Sequence, residues 1–166
     1  AEIMFVGEGP GFHEDQQGRP FVGAAGQFLE ELLESIGLER QDVYITNVIK
    51  CRPPGNRDPL PPEISACEPY LDRQIELIQP TVIVTLGRFS MARAFPKARI
   101  SRIHGNPRKI DGIVYYPMYH PAAALHRPSL RPIVEEDVRR IPEMIRRAPQ
   151  MAESAPPPQA EQLELF

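Results

Sequence analysis

The stretch TVIVTLG, residues 81–87, decides the fold class of this sequence. Apart from its two threonines it is apolar, and a glycine ends it. A strand has such a continuous apolar run when both of its faces are covered, as in the centre of a parallel sheet. The stretch therefore predicts a central strand with helices packed on both sides.

Three further segments complete the predicted sheet. Ile3–Gly7 is a short apolar run bounded by glycine and proline, and Val43–Val48 is rich in β-branched residues. Asp111-Gly112 lies between two β-rich runs, which is a strong hairpin signal. We expect this hairpin to lead into a fourth core strand that ends near Tyr119.

Segments with helical features alternate with these strands. They are Phe28–Ile36, which Gly37 would cap, Glu63–Gln79, which Pro80 ends, Phe89–Phe95, and Ile133–Arg147, which Pro142 would bend. The alternation predicts an α/β fold, a three-layer α/β/α sandwich with a central four-stranded parallel sheet.

Composition divides the sequence into three parts. Residues 1–147 carry the strand and helix pattern and fit one domain. Residues 148–160 are rich in Pro, Ala and Gln and predict a disordered linker, and residues 161–166 form an apolar terminal peptide. The chain lacks an initiating Met and enters its first strand within three residues, so we expect an N-terminal segment of the domain to be missing.

The composition favours a globular intracellular protein. Of the 166 residues, 42% are hydrophobic and 25% are charged. No run reaches the roughly 18 apolar residues of a membrane helix, and no secretory signal pattern is present. We expect a cytoplasmic protein without membrane association, whose two cysteines are buried thiols, a reactive pair or ligands rather than a disulfide.

Charge is unevenly distributed although the net charge is only −3. Between Arg88 and Ile110 there are seven basic residues and no acidic one, whereas residues 1–36 carry seven carboxylates and one arginine. The basic stretch is either a face that meets phosphates or a solvated surface, and charge alone leaves both open.

Polar segments follow three of the predicted strands. In open parallel sheets, ligands bind in the loops beyond the carboxyl ends of the strands. GEGPGFHEDQQGRPFVG at residues 7–23, Asn47, and HPAAALHRP at residues 120–128 occupy these places. Glu8 and Gly9 can offer backbone N–H donors and a carboxylate, but the loop is neither a Walker loop nor a dinucleotide fingerprint.

Three side chains in these segments have two interpretations each. Phe21 is a stacking platform or a core residue. Asn47 can donate and accept at once, as reading a nucleobase edge requires, or it is a turn residue. His120 is catalytic or, as is commoner for a lone histidine, structural.

Four motifs, in this order and spacing, resemble the family 4 uracil-DNA glycosylases, the iron–sulfur branch of that superfamily. They are GEGPGFHEDQQGRPFVGAAGQFL, VYITNVIKCRPPGNRDP, TVIVTLG and YHPAAALHRPSLR. The resemblance runs from about Ile3 to Ile145. It implies excision of uracil from DNA by hydrolysis of its N-glycosidic bond.

The resemblance also implies roles for residues of the pocket. The flipped uracil would stack on Phe21 while Asn47 reads its Watson–Crick edge. The amides near Glu8 and Gly9 would hold its carbonyl groups. His120 would stabilise negative charge on O2 of the leaving base.

Further roles concern the water, the sugar and the DNA. Glu8 or Glu14 would orient water or support the cationic sugar. Leu125 would wedge into the gap that the base leaves, while His126 and Arg127 meet phosphates.

The resemblance makes Cys51 and Cys67 the third and fourth ligands of a [4Fe–4S] cluster. The first two would belong to a Cys-x-x-Cys upstream of the first strand, which this sequence does not contain. Since such a cluster needs four thiolates, the chain would hold at most half a site. The alternative is two unrelated thiols, with Cys67 packing on a helix.

QLELF at the C-terminus resembles the pentapeptide that docks bacterial proteins to the sliding clamp. The apolar side chains of Leu163, Leu165 and Phe166 would fill a pocket on the clamp. Gln162 would belong to the same clamp-binding peptide. Chance occurrence of a short motif is the alternative. The motif predicts a bacterial source and a monomer acting at the nucleoid.

The leading hypothesis is therefore a uracil-DNA glycosylase. A second keeps the fold but acts on another deaminated base or couples covalently to the abasic site. A third is a non-catalytic DNA-binding or polymerase-associated module, against which the joint presence of Phe21, Asn47 and His120 argues.

Overall fold

The computed structural model of the protein describes residues 1–155. In this part of the chain one sheet has five strands, in the order β2-β1-β3-β5-β4. The strands are β1 Ile3–Gly7, β2 Tyr44–Asn47, β3 Val82–Leu86, β4 Arg108–Ile110 and β5 Ile113–Met118.

Eight α-helices accompany the strands within residues 1–155. They are α1 Phe12–Gln17, α2 Ala24–Ser35, α3 Pro61–Ile78, α4 Arg88–Met91, α5 Ile100–Ile103, α6 Pro121–His126, α7 Arg131–Arg139 and α8 Ile141–Arg147. None of them is long and apolar enough to cross a membrane.

The sheet has four parallel strands, as predicted, and one antiparallel edge strand. β2, β1, β3 and β5 pair in parallel, whereas β4 pairs antiparallel with β5. The fifth strand, which the prediction of four strands omitted, is the first arm of the hairpin at Asp111-Gly112. Both turn residues have positive φ, 51° and 80°, as a two-residue hairpin turn of this kind requires.

Strand β1 shows how the three layers meet. Ile3 and Phe5 pack in the core formed with α2, α6, α7 and α8, whereas Met4 and Val6 pack in the core formed with Leu71 of α3. Successive side chains of a strand point to opposite faces, and these four residues are at most 4% exposed. The α/β/α sandwich is confirmed.

Several elements differ from their predicted bounds. α3 begins at Pro61 rather than Glu63, because proline suits the first positions of a helix. The expected helix Phe89–Phe95 is the single turn α4 with turns after it. The last helix divides at Arg140 into α7 and α8, with Pro142 in the first turn of α8.

The glycine-rich loop at residues 7–23 contains α1, which the sequence patterns did not indicate. The helix has six residues, none of them buried, and it ends where Gly18 has φ of +68°. An exposed segment of this length carries no apolar periodicity, so sequence reasoning had no signal for it.

Residues 148–155, the described part of the predicted linker, lie against the domain. Ala148 is 4% exposed, and Ser154 donates its N–H to the carbonyl of Lys109 at 2.7 Å. Glu153 accepts from the N–H of Gly112 at 2.8 Å. The linker stays a prediction for residues 156–160, and the predicted clamp peptide at residues 161–166 lies outside the described residues.

Candidate active site

The carboxyl ends of the parallel strands gather the predicted site residues. Gly7 ends β1 and is in register with Asn47 at the end of β2. A Cβ added to Gly87, directly after β3, would lie 3.2 Å from Cβ of His120, which follows β5. The topology therefore brings the end of β2 and the segment after β5 to one edge of the sheet, as predicted.

Phe21 and Asn47 meet above Gly7. A Cβ on Gly7 would lie 2.5 Å from Cζ of Phe21 and 2.6 Å from Oδ1 of Asn47. No side chain fits there, so glycine lets both groups approach the end of β1.

Phe21 and His120 form one aromatic wall of the pocket. Their ring centroids are 5.4 Å apart with an angle of 22° between the ring planes. Phe21 is 6% exposed and belongs to the core that includes α2. Phe21 is thus both a core residue and part of the pocket, which unites its two sequence-based interpretations.

His120 is a neutral hydrogen-bond donor at neutral pH. Its Nδ1 accepts the N–H of Ala122 at 3.1 Å, which caps the start of α6. Burial lowers the pKa of His120 to about 4, against a smaller opposing effect of Glu14. A neutral imidazole whose Nδ1 accepts carries its proton on Nε2, so Nε2–H is available to a ligand.

Asn47 presents an acceptor with no partner among residues 1–155. Its side chain is buried at 6% exposure, and its Oδ1 receives no hydrogen bond from the described residues. Leaving a buried polar atom unsatisfied costs roughly 1–3 kcal/mol. Such an atom in a pocket indicates a ligand with a matching N–H or O–H donor.

These side chains line a cavity of about 180 Å³. Its polar and aromatic walls include Gly9, His13, Glu14, Phe21, Asn47 and His120. Drug-sized ligands occupy pockets of roughly 300–1,000 Å³, so this cavity suits something smaller, such as one planar base.

A second cavity of about 290 Å³ adjoins the first at Gly9 and His120. Glu8 and Arg57 line it. Burial raises the pKa of Glu8, as does the nearby carboxylate of Asp58. Glu8 and His120 therefore line the same cavity.

Glu14 is engaged by the backbone of its own loop. Its carboxylate accepts N–H groups of Gly11 and Val22, both at 3.2 Å, and of Gly23 at 2.9 Å. A carboxylate with three such donors braces the loop. The predicted catalytic role of Glu14 stays a prediction.

The family described as the uracil DNA glycosylase superfamily matches residues 1–141 of this chain. The chain belongs to this superfamily.

Individual relatives show to which branch of the superfamily this chain is similar. A type-4 uracil-DNA glycosylase of Sulfurisphaera tokodaii is 54% identical over 154 residues, which cover 87% of this chain and 70% of that protein. A type-4 uracil-DNA glycosylase of Saccharolobus solfataricus is 51% identical over 87% of this chain and 72% of that protein. Another, of Archaeoglobus fulgidus, is 52% identical over 87% of this chain and 77% of that protein. The predicted resemblance to family 4 is confirmed.

Gly9, which the superfamily resemblance assigns to uracil binding, sits tightly against the segment after β2. A Cβ on Gly9 would lie 2.6 Å from Cγ1 of Ile49. The N–H of Ile49 donates to the carbonyl of Glu8 at 3.1 Å. This contact extends the β1–β2 pairing beyond the strands and fixes the loop that lines both cavities.

The residues assigned to DNA contact by the superfamily resemblance lie on α6 and just after it. Leu125 is 44% exposed, and His126 and Arg127 are exposed. Leu125 is thus an exposed apolar side chain in the helix that His120 caps, next to His126 and Arg127. Their contact with DNA stays a prediction.

The basic stretch predicted from Arg88 to Ile110 is partly neutralised within the protein. Arg93 pairs with Glu68 at 3.6 Å and Asp72 at 2.5 Å, both on α3. Arg88 pairs with Asp58. Two of its seven basic residues are thus held by carboxylates, which favours the interpretation as a solvated surface for that part.

Cys51 and Cys67 are both free thiols, the first exposed and the second partly buried on α3. Cys67 Sγ accepts the N–H of Lys50 at 3.4 Å. An N–H donor to sulfur is typical of cluster-binding thiolates. Among residues 1–155, no three His, Cys, Asp or Glu side chains form a metal-binding group. The two thiols would supply two of the four donors that such a cluster needs, and their role as ligands stays a prediction.

Sequence reasoning missed Lys50 as a support of the site. Its Nζ donates to the carbonyl of Asn47 at 2.7 Å, to Thr46 Oγ1 and to Gln74 Oε1, both at 2.8 Å. The only signal was its position three residues after Asn47. Arg40 donates to the carbonyl of Phe21 at 2.6 Å. No sequence signal indicated this contact, because the two residues are 19 positions apart.

Proposed function

We propose that this protein removes uracil from DNA by hydrolysing the bond between N1 of the base and C1′ of the deoxyribose. The unpaired, buried Oδ1 of Asn47 carries this proposal. It lies in a cavity of about 180 Å³ with an aromatic ring and a neutral histidine donor. Relatives at 51–54% identity are named type-4 uracil-DNA glycosylases.

Asn47 distinguishes uracil from cytosine by the direction of its hydrogen bonds. Uracil N3–H donates to Oδ1, and the amide N–H of Asn47 donates to uracil O4. Cytosine offers an acceptor at N3 and a donor at N4, so both pairings fail and buried groups stay unpaired. A site of this kind rejects the wrong ligand by roughly 10⁴–10⁵-fold.

His120 assists the departure of the base. When the C1′–N1 bond breaks, its electron pair stays with uracil and the negative charge spreads to O2. The Nε2–H of neutral His120 donates to O2, which is worth roughly 100- to 1,000-fold in rate for one such donor. No strong acid is needed, because the base leaves as a stabilised anion.

Glu8 acts on the sugar side of the pocket. It lines the second cavity, beside His120, where the deoxyribose of a bound nucleotide would lie. There its carboxylate stabilises the positive charge that develops at C1′ or orients the water that adds to this carbon. The uracil anion takes up a proton, and an abasic site remains.

The target base reaches this pocket only outside the duplex. Leu125, which is 44% exposed, fills the vacated space in the stack, and Arg127 contacts a phosphate. Uracil opposite guanine costs less to unpair than a matched base, so such lesions enter the pocket most readily.

Base release from duplexes with one modified base tests the function. We expect release of uracil from U:G, little release from T:G or hypoxanthine pairs, and a product strand that alkali cleaves. Release of hypoxanthine in place of uracil would support the second function, and binding without release would support the non-catalytic one. His120→Ala should lower uracil release by at least about 100-fold.

Cys51 and Cys67 would hold two corners of a [4Fe–4S] cluster. The cluster would supply a structural tie between the segment after β2 and α3. The other two thiolates are not among the 166 residues of this sequence, which has two cysteines. Iron content and visible absorbance of protein that includes the remaining ligands would test this, with Cys67→Ser expected to lose iron.

We also propose that Gln162, Leu163, Leu165 and Phe166 bind the bacterial sliding clamp, which would place the protein at the nucleoid as a monomer. A pentapeptide with three large apolar side chains after a proline-rich segment is suited to a groove on a partner. Binding of purified clamp should vanish when residues 162–166 are deleted, with uracil release from short duplexes unchanged. Retained clamp binding would contradict this role.

A further inference from the structure

Phe21 has an unusual backbone conformation for a bulky residue. Its φ is +54°, in the left-handed region where Cβ crowds the following carbonyl. A residue held in that region persists only when its surroundings fix it, and such residues concentrate at ligand sites. The question is which groups hold Phe21 there.

Arg40 holds the carbonyl side of this loop. Its Nη1 donates to the carbonyl of Phe21 at 2.6 Å, and its Nη2 donates to the carbonyl of Pro20. The Arg40 side chain is 20% exposed, so water competes weakly for these bonds. One planar guanidinium thus fixes two successive peptide groups, a geometry that a lysine ammonium does not reproduce.

Two other groups complete the surroundings. Glu14 accepts the N–H groups of Val22 and Gly23, on the opposite side of the same loop. Helix α2 presses against it at Gly26, where an added Cβ would lie 1.9 Å from the carbonyl oxygen of Phe21. That carbonyl therefore points past α2 towards Arg40.

We propose that Arg40 is a positioning residue that fixes the Phe21 ring over the base pocket. This rests on the proposed function, because the ring's task is to stack on the flipped uracil. Without the two donors, the peptide groups of Pro20 and Phe21 lose their partners and φ of Phe21 relaxes to a negative value. The ring then leaves its place beside Gly7 and His120.

Substitution of Arg40 tests this with Glu30→Gln as the matched control. Glu30 accepts from Arg40 Nη1 at 3.3 Å and is 49% exposed, so its loss leaves the two carbonyl contacts in place. Arg40→Met should lower single-turnover uracil release and weaken inhibition by free uracil, each by about 10-fold, as for one lost base–aromatic stack. Affinity for abasic DNA and the activity of Glu30→Gln should match those of the unsubstituted protein.

Combination with Phe21→Leu separates positioning from general damage. If Arg40 acts through the ring, Phe21→Leu with Arg40→Met loses no more activity than Phe21→Leu alone. The proposal would be overturned if the activity losses of the two single variants multiplied in the double variant. Full activity of Arg40→Met would also overturn it. Arg40→Lys keeps the charge but not the two-carbonyl contact, so it should behave like Arg40→Met, and it replaces that variant if Met prevents folding.

A fluorine signal tests the placement without any activity. The protein has seven phenylalanines, and in 4-fluorophenylalanine-labelled protein Phe21→Leu identifies the Phe21 resonance. We expect Arg40→Lys to shift this resonance, since the ring leaves His120, and Glu30→Gln to leave it in place. An unmoved resonance overturns the proposal, whereas an unsubstituted protein that releases no uracil overturns only the proposed function.

Discussion

His120 has two properties that follow from one placement. Burial beside Phe21 keeps its ring neutral, with a pKa of about 4, and the bond from Ala122 N–H sets which nitrogen carries the proton. The same donor that stabilises the start of α6 therefore aims Nε2–H into the pocket. A charged imidazole would bind O2 more strongly but would have to be desolvated.

The first prediction concerns the pH dependence of uracil release. Because the folded pKa of His120 lies at about 4, protonation of this residue should leave no break near pH 6.5 in single-turnover rates between pH 5 and 8. A tenfold change centred at pH 6.5 that His120→Gln abolishes would contradict the neutral-donor mechanism.

Stability should show the same pKa with a definite sign. Between pH 6.5 and about 4 the unfolded chain binds a proton at His120 that the folded protein does not. Stability is therefore lost as pH falls through this window, by at most about 3 kcal/mol, and unaffected above it. Urea unfolding at pH 7.5 and 4.5 should show that acidification costs His120→Gln less of its free energy of unfolding than it costs the unsubstituted protein.

Substitution of Asn47 should raise the stability of the protein and lower its activity. Asn47→Leu removes the unpaired buried Oδ1 while keeping a similar shape, so the free energy of unfolding should rise by about 1 kcal/mol. Uracil release should fall by at least about 100-fold because the base loses both of its edge contacts. Denaturant unfolding and base release on one preparation measure the two effects, and a destabilised variant would mean that the amide supports the fold.

At the scale of elements, Lys50 joins β2 to α3. Its ammonium bridges the Asn47 carbonyl and Gln74 Oε1, while its own N–H donates to Cys67. Lys50 thus connects Asn47, which is proposed to read the base, with Cys67, which is proposed to ligate the cluster. We therefore expect that a substitution that loosens the packing of α3 also disturbs the base pocket.

Lys50 gives a fourth prediction, on alkaline pH. Burial lowers its pKa from 10.5 to about 8, so between these values the unfolded chain holds a proton that the folded protein has released. The stability of the unsubstituted protein should therefore rise with pH across this window relative to that of Lys50→Met. Melting temperatures from pH 7.5 to 9.5 check the slope, and a slope unaltered by Lys50→Met would place the titration elsewhere.

At the scale of the whole molecule, the residues proposed to read the base and those proposed to bind DNA differ in exposure. Asn47 is buried at the end of β2, whereas Leu125 and Arg127 are exposed. Base identity should therefore depend on Asn47, and affinity should depend on exposed cations that contact phosphates whatever the sequence.

Salt dependence gives a fifth prediction, at the scale of the whole molecule. If Arg127 neutralises one phosphate, Arg127→Ala should reduce the slope of log affinity against log salt by about 1 for duplexes with or without uracil. Arg73→Ala, at a 62% exposed side chain paired with Glu76 on α3, should leave the slope unchanged. Fluorescence anisotropy of DNA binding, from about 50 to about 200 mM salt, measures the slope for each variant.

The sequence predicted the strands best, because burial on both faces leaves a continuous apolar run, as in β3. It also placed Asn47 and His120 at one edge of the sheet, since parallel topology alone determines where strand ends lie. Helix α1 and the bracing by Glu14 left no periodic signal. The conformation of Phe21 depends on Arg40, a contact that only the folded chain creates.

The pairing of Lys109 with Glu153 beside the edge strand has a consequence for self-association. An uncovered edge strand offers free N–H and C=O groups to the edge of another molecule. Here Ser154 and Glu153 already occupy the groups of Lys109 and Gly112 that such a neighbour would use. The segment after the last helix therefore covers the β4 edge of the sheet at Lys109 and Gly112.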